Sequence, residues 1–573
     1  MEKKDEKEVR IMKTMGPETY RDMLLAAGDR ILRLEPVLTR IDGAIGDGDH
    51  GIGMRNGMTA ARRALTAAEP GTGIAELSRL AGDAMRNAMG GASGMIFSTL
   101  LTGGSGAFPG SGAMRPCDFA AQMRAGLRAI QELGHAEEGD KTMVDALAPA
   151  VRAMEEHTES FEEMLLFGAH AAGTGAEKTK GYQARFGRSK NLGARALGHA
   201  DAGAVSTWQL FVGMSDFVSG METPLPDPGD PGMPAAGSQT LSGGKKILND
   251  PADAVREEAE GFLAAFGRDV AAVPGVSGLV RRNIPEGKTA LLVGGGSGHE
   301  PMFGFFLGEN LADASANGNV FTSPDPRTIA ETAKAAERGA GVLFLYGNYE
   351  GDKLNFDRAA SMLAEEGIPT RTVRIRDDAA SAPKDRREDR RGIAGDVLML
   401  KIAGAACASL SLDEAYRVVS KANDSLFSAG VALGGCTIPG QKEPLFTLPP
   451  DEMEFGLGIH GEPGVKRVRM QSADEITESL LNLLLEESGI QRGDRVVTYV
   501  NGLGSTTLME LMIMNRRLAL LLKEKGILVH GMDVGSFVTS MEMAGASISL
   551  LKLDDELRAF YDLPCRSPYY SKP

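Results

Sequence analysis

Between positions 17 and 219, apolar residues return at helical spacing. Leu24, Ile31, Leu34 and Leu38 follow one another at intervals of 7, 3 and 4, which draws one apolar stripe along a helix. Similar stripes fit 74–90, 117–133, 141–156 and 160–173, and no stretch here alternates convincingly as a strand does. This predicts an all-α bundle or barrel with its functional loops at one end. Residues 220–244 are rich in Pro and Gly, a composition that gives an extended, semi-rigid linker. From 245 to 573 the period changes. Short apolar runs at 289–293, 342–346, 371–376, 495–500, 527–530 and 547–551 read as strands; 252–266, 327–338, 355–366 and 507–524 read as helices. Such alternation predicts an α/β domain with a largely parallel sheet. Its length allows two lobes, with a break near 385–392 or 465–475. The expected layout is therefore multidomain: a tail at 1–16, a helical domain at 17–219, the linker at 220–244 and an α/β domain at 245–573.

Composition narrows the class of partner. The 573 residues exceed what one core holds. A net charge of −15 argues against a nucleic-acid partner held by general electrostatics. No apolar run is long enough to cross a membrane, and the Lys/Glu-rich N-terminus does not read as a signal peptide. The four cysteines lie far apart with no metal-ligand spacing, which fits a reducing cytoplasm.

Candidate chemistry gathers in glycine-rich turns. Near the start of the helical half, Ile41-Asp42-Gly43-Ala44-Ile45-Gly46-Asp47-Gly48-Asp49-His50-Gly51 places three carboxylates within eight residues. Hard oxygen ligands on a small-residue turn suit Mg²⁺, which keeps waters and is completed by substrate phosphates. A single Asp-Gly would read as a solvated turn; three acids together favour the metal. Gly90-Gly91-Ala92-Ser93-Gly94 sits between two helices, where backbone N–H groups can cradle phosphate. Small-residue runs also serve helix packing, so this motif is weak alone. Lys178, Lys180, Arg185 and Arg188 surround the loop 173–187 as candidate phosphate-neutralising cations or as a solvated basic loop.

In the α/β half, Leu291-Leu292-Val293-Gly294-Gly295-Gly296-Ser297-Gly298-His299 is a strand that breaks into glycines and ends on a histidine, at the strand end where open sheets place ligands. Gly347-Asn348-Tyr349-Glu350-Gly351-Asp352 and Gly458-Ile459-His460-Gly461-Glu462-Pro463-Gly464 are two further turns of this kind. Two of this half's three histidines, His299 and His460, lie in such turns, so convergence on one site is expected. His530, at a strand end, reads as structural. A carboxylate beside a substrate hydroxyl acts as a general base, and a histidine can donate to a carbonyl or attack it.

Together these motifs resemble the dihydroxyacetone kinase family over nearly the whole chain apart from the linker. The resemblance implies an ATP-binding helical domain followed by a ketose-binding α/β domain, the reverse of the usual order. It implies that Asp42, Asp47 and Asp49 hold two Mg²⁺ ions, and that His50, Gly91, Ala92, Ser93, Gly94 and Arg188 contact the nucleotide. It implies that His460 forms a hemiaminal with the substrate carbonyl, that Asp352 is the general base and that His299 assists. Gly295, Gly296, Ser297, Gly298 and Gly347 match substrate-binding positions. Free ATP is the expected donor, a homodimer with a cross-protomer active site the expected assembly, and the cytoplasm the expected location.

Three positions depart from the family pattern. Gly347 stands where a lysine is common, Met302-Phe303-Gly304-Phe305 replaces a small-residue run containing a histidine, and Asp396 replaces a threonine. The lost cation and the added aromatic bulk make a tetrulose such as erythrulose a candidate beside dihydroxyacetone. Competing readings are a non-catalytic ketose-sensing regulator, an FAD-cyclising lyase activity and a fatty-acid kinase. The retained Asp352, His460 and acidic triplet weigh against the regulator, and the Gly-Ile-His-Gly-Glu-Pro-Gly motif weighs against the fatty-acid kinase.

Overall fold

The computed structural model describes residues 12–46, 48–107, 112–226, 246–441, 443–462 and 464–573. The chain forms two compact units, Met1–Ser238 and Gln239–Pro573.

The first unit is helical among its described residues: α1 (Pro17–Ile45), α2 (His50–Ala67), α3 (Ile74–Met89), α4 (Gly91–Thr102), α5 (Pro116–Gly134), α6 (Val144–Glu156), α7 (Phe161–Lys178) and α8 (Ala202–Ser219). Each helix packs on the next, and α8 returns to α1, so the eight close a ring. The apolar stripe read from the sequence is the inner face of α1, with Ile31, Leu34 and Leu38 buried. Closure is fastened by Arg30, buried in α1. Its Nε donates to Gln209 Oε1 of α8 at 2.8 Å, and its Nη1 donates to Asp216 at 3.3 Å and to the Thr223 carbonyl at 2.8 Å. Removing one partner of so buried a charge is costly.

The second unit opens with α9 (Ala254–Phe266), β1 (Val270–Val273), β2 (Gly278–Arg281), β3 (Ala290–Ser297), β4 (Ala314–Val320), α10 (Pro326–Ala336), β5 (Val342–Gly347), α11 (Glu350–Glu365) and β6 (Thr370–Ile375). It continues with α12 (Asp396–Ser409), α13 (Leu412–Asp424), β7 (Leu426–Gly434), β8 (Glu452–Phe455), β9 (Lys466–Arg469), α14 (Ala473–Ser488), β10 (Arg495–Gly502), α15 (Leu508–Lys525), β11 (Leu528–Gly535), β12 (Ala544–Leu553), α16 (Asp555–Tyr561), β13 (Cys565–Arg566) and β14 (Ser571–Lys572). There are two six-stranded sheets, in the orders β1-β2-β4-β3-β5-β6 and β11-β10-β12-β7-β8-β9.

The expectation of a largely parallel sheet holds for one sheet only. In the first, β3, β4, β5 and β6 run parallel. In the second, only β10 and β11 do; the remaining pairs are antiparallel. Two lobes are thus present. The first sheet ends at Ile375 and the second begins at Leu426, so the break near 385–392 is the fitting one. Helix α12 shares a core with Leu291, Val293, Leu343 and Leu345 of the first sheet and Val497, Tyr499 and Leu551 of the second. It is apolar and buried nearly all round, as a helix packed on every side must be.

Candidate active site

In the α/β unit, β3 is buried at every position and lies between β4 and β5. Its end is built for close approach. A β-carbon on Gly295 would lie 2.6 Å from the Phe303 ring, and one on Gly296 would press into the backbone of 321–322. Gly298 has φ of +99°, a conformation that side chains rarely adopt, and it turns the chain into His299. The His299 ring stacks on Phe321 at 4.9 Å between centroids. Its Nδ1 lies 2.6 Å from the Thr539 carbonyl oxygen, which can only accept, so Nδ1 carries the hydrogen. The chain beside Thr539 is stitched to the same turn, with Met541 N donating to the Gly298 carbonyl at 2.8 Å. Thr539 Oγ1 donates to the Glu300 carbonyl at 2.9 Å.

His460 comes from the distant turn 458–462, which Ser540 Oγ anchors by donating to the Ile459 carbonyl. The two imidazoles meet with Nε2 of His299 3.0 Å from Nε2 of His460, and both rings are buried. On its other side, His460 Nδ1 faces Glu462 Oε1 at 3.1 Å, and His460 N donates to Glu462 Oε2 at 3.0 Å. Tyr349 and Phe321 stand edge-on to the His460 ring at 4.7 and 5.4 Å. Arg391 Nη1 lies 3.8 Å behind Glu462, and the same guanidinium pairs with Asp378 at 2.8 Å. Burial alone would lower the Arg391 pKa, but the Asp378 and Glu462 carboxylates outweigh it and hold it above its ordinary value.

Asp352 lies buried in the first turn of α11, directly beyond Tyr349. Gly347 explains the placement of that tyrosine. A β-carbon there would come 3.1 Å from the Tyr349 ring, whose hydroxyl donates to the Gly392 carbonyl at 2.8 Å. Asp396, first residue of α12, is buried, and its Oδ1 has no hydrogen-bond partner among the described residues. Burial, and then the charges of Asp377 and Asp352, push its carboxyl well above the usual range. Burial raises Asp377 to about 6, although it accepts from the backbone of Ile393 and Gly395.

One expectation about the pocket needs correcting. Phe305 does not crowd the paired histidines; it packs on Phe262 at 4.7 Å and on Phe266 at 6.2 Å. The aromatic edge at the glycine strand end is Phe303, against Gly295. His530 is bonded to Asp562 at 2.6 Å on the exposed side of β11, in keeping with a structural role.

In the helical unit, Asp42 lies in the last turn of α1 and Asp49 precedes α2; Asp47 lies outside the described residues. His50 N donates to Asp42 Oδ2 at 3.3 Å, which folds the acidic turn back on its helix. His50 Nε2 lies 2.7 Å from Ser206 Oγ and its Nδ1 3.5 Å from Ser93 Oγ, so the histidine links the acidic turn to α8 and to the Gly91-Ala92-Ser93-Gly94 turn. Burial lowers the His50 pKa, against the pull of Asp42. Gly91, Ala92 and Ser93 open α4, where N–H groups lack helical acceptors, while Gly94 N donates to the Gly90 carbonyl at 2.9 Å.

Sequence reading missed Asp201, the N-cap of α8. Burial chiefly, with the Asp42 charge adding to it, raises its carboxyl to about 7. A carboxyl whose ionisation the Asp42 charge opposes fits a cation nearby, and carboxylate oxygens are the donors Mg²⁺ takes. Among the described residues, no three His, Cys, Asp or Glu side chains converge as a complete metal site. Of the basic loop, Lys180 pairs with Glu177 at 2.8 Å and Arg185 with Asp140 at 3.1 Å; the Arg188 side chain lies outside the described residues.

A ring of helices bearing an acidic turn, joined in one chain to a two-sheet unit with paired buried histidines, defines a two-domain α plus α/β protein with a candidate site in each unit. A Dak1 domain matches residues 260–569, more than half the chain, and a DAK2 domain matches 44–216. The chain belongs to the dihydroxyacetone kinase family, with the helical domain first.

The dihydroxyacetone-binding subunit of PTS-dependent dihydroxyacetone kinase 2 from Listeria innocua is 42% identical over 329 residues, 57% of this chain and 99% of that one. An L-erythrulose kinase from Pectobacterium atrosepticum is 43% identical over 332 residues, 57% of this chain and 56% of that one. The match thus spans little more than half of that kinase's length. The dihydroxyacetone kinase of C. freundii, solved in complex with AMP-PNP and Mg²⁺, superposes with a TM-score of 0.53 at 28% identity, covering 57% of this chain and 61% of that one.

Proposed function

We propose that this protein is an ATP- and Mg²⁺-dependent kinase that phosphorylates a terminal hydroxyl of a short-chain ketose, dihydroxyacetone or a tetrulose such as erythrulose. The observation that carries this reading is the buried pair His299–His460, with their Nε2 atoms 3.0 Å apart at the end of a glycine-lined strand. In this reading His460 Nε2 attacks the ketose carbonyl and holds the sugar as a hemiaminal, while His299 hands a proton to the carbonyl oxygen. A hydroxyl cannot form such an adduct, so the bond selects ketones over polyols. It also fixes the terminal hydroxyl, and fixed geometry supplies much of the rate of a transfer reaction. Asp352 takes that hydroxyl's proton as phosphorus is attacked. The backbone of Gly295, Gly296, Ser297 and Gly298 contacts the sugar. Gly347, which carries no side chain, leaves Tyr349 as the wall of the pocket.

In the helical unit, Asp42, Asp47 and Asp49 would hold Mg²⁺, with His50, Gly91, Ala92, Ser93, Gly94 and Arg188 at the nucleotide. Bound Mg²⁺ neutralises phosphate charge, the main task in phosphoryl transfer. The erythrulose and dihydroxyacetone kinases among the relatives support the substrate class, and the AMP-PNP and Mg²⁺ of the C. freundii enzyme support the donor. We also infer a homodimer; the exposed apolar residues Leu508, Met509, Met512 and Ile513 on one face of α15 support a second copy as partner. A sedimentation measurement that returns a monomer overturns that assembly.

The test is ADP release from Mg-ATP with dihydroxyacetone, D-erythrulose, L-erythrulose and D-glyceraldehyde side by side. A higher kcat/KM for one erythrulose assigns the Gly347 and Phe303 changes to specificity. A preference for dihydroxyacetone makes them neutral repackings. No turnover with any of the four points to another carbonyl substrate or to the non-kinase readings.

A further inference from the structure

A chain of polar contacts runs through the two histidines: Thr539 carbonyl, His299 Nδ1 at 2.6 Å, His299 Nε2 to His460 Nε2 at 3.0 Å, and His460 Nδ1 to Glu462 Oε1 at 3.1 Å. Both ends accept only, a carbonyl at one and a carboxylate at the other. Each end therefore draws a hydrogen onto the Nδ1 it faces. Two neutral imidazoles then have no hydrogen left for the contact between them, where two lone pairs would meet. A bonded contact there needs one more proton, shared between the Nε2 atoms.

We propose that Glu462 is a positioning residue for the covalent step. It holds the hydrogen of His460 on Nδ1, so that Nε2 keeps the nucleophilic lone pair, while the extra proton resides on His299. This rests on the reading that His460 bonds the ketose. The His460 Nε2 lone pair forms the bond to the carbonyl carbon, the π pair moves to oxygen, and the oxygen takes the proton from His299 Nε2. His299 is left neutral with its Nδ1–H still on Thr539. The positive charge passes to the His460 ring, whose Nδ1–H faces the Glu462 carboxylate. One unit of charge thus moves from one ring to the other, toward the carboxylate.

The backing of Glu462 suits this task. Its second oxygen accepts from His460 N at 3.0 Å, which ties the carboxylate to the residue whose ring it orients. Arg391, buried and already paired with Asp378, places a cation 3.8 Å from the carboxylate. An amide at 462 could not replace both oxygens. With its oxygen on His460 N, its NH₂ would face Nδ1 and shift the ring hydrogen to Nε2. An orienting acid changed to an amide in a catalytic triad costs about 10⁴ in rate by this kind of tautomer error.

The test uses the full chain with ¹⁵N-labelled histidine, plus dihydroxyacetone labelled with ¹³C at the carbonyl. In the free wild-type protein, His460 is expected to show a protonated Nδ1 and an acceptor Nε2. E462Q is expected to move the hydrogen to Nε2 and to slow growth of the tetrahedral ¹³C signal by about 10²-fold or more. E462D, which keeps the carboxylate, is expected to restore the nitrogen pattern at least in part. A hydrogen on Nε2 in the wild type, or a wild-type adduct rate in E462Q, overturns the proposal. If the wild type forms no adduct at all, the hemiaminal reading fails, and the nitrogen spectrum alone decides the role of Glu462. That spectrum also decides it if E462Q does not fold.

Discussion

Gly347 and Tyr349 share one volume. A β-carbon on Gly347 would stand 3.1 Å from the Tyr349 ring, which is held by its bond to the Gly392 carbonyl and by its edge-on contact with His460. A side chain at 347 and the present placement of Tyr349 therefore compete, and the ring must give by a few tenths of an ångström to admit one. Gly347→Ala is expected to push the ring a few tenths of an ångström toward His460, cost about 1 kcal/mol in stability and lower kcat/KM for the preferred ketose by roughly tenfold, about 1.4 kcal/mol. Urea unfolding and steady-state kinetics check both. A variant that matches the wild type in each would show that the tyrosine ring has room to spare.

Buried acids give the α/β unit a defined pH dependence. Burial raises the Asp377 carboxyl to about 6, against about 4 in the unfolded chain. The folded state therefore binds this proton more tightly than the unfolded state, so stability falls as pH rises from about 4 to about 6. The loss from this group is about 3 kcal/mol at full ionisation. Asp396, also raised, pushes in the same direction. Asp377→Asn is expected to flatten this window. It also gives up one of two backbone acceptors, for Ile393 N or Gly395 N, at about 1–3 kcal/mol. Denaturant midpoints at pH 4.5 and 7 for both proteins separate the two effects. Equal pH slopes would place the titration elsewhere.

What the sequence revealed follows from how local each signal is. The glycine-rich strand end at 294–299 and the turns carrying Asp352 and His460 are contiguous motifs, and each was legible. The ring of helices was legible because a one-sided apolar stripe repeats along it. Strand β4, Ala-Ser-Ala-Asn-Gly-Asn-Val, was not: its residues are small and polar, and its strand character comes from pairing between β2 and β3. Helix α12 was missed because burial on every side erases the stripe. The antiparallel second sheet depends on pairings such as β7 with β12, over a hundred residues apart in the chain. Glu462 stood in plain view two residues after His460, but only folding shows its carboxylate on Nδ1. Asp201 had no local motif partner; its link to Asp42 is made by closing α8 onto α1.

The separation of the covalent step from the transfer step predicts two different failures. His460→Ala removes the nucleophile and is expected to abolish both the ¹³C adduct and ADP release. Asp352→Ala is expected to leave the adduct and to lower ketose-dependent ADP release by about 10²–10⁴-fold, the usual contribution of a positioned base. Full turnover by either variant would remove the role assigned to that residue.

The helical unit should bind nucleotide through a network that Asp42 and His50 share. Asp42 accepts from His50 N at 3.3 Å, and the His50 ring reaches Ser206 and Ser93. Replacing the Asp42 carboxylate by an amide would remove a metal ligand while an amide oxygen could still accept from His50 N. Asp42→Asn keeps the shape but not the charge. It is expected to weaken Mg-ATP binding, read by calorimetry, by about 10²-fold, a loss of roughly 2.7 kcal/mol. Ser206→Ala removes only the 2.7 Å contact to His50 Nε2 and is expected to cost nearer tenfold, about 1.4 kcal/mol. Without Mg²⁺, the wild type and Asp42→Asn should bind ATP alike, because the difference between them is made by the cation. A deficit in Asp42→Asn that persists without Mg²⁺ would instead assign Asp42 to holding the His50 turn, and the metal to other ligands.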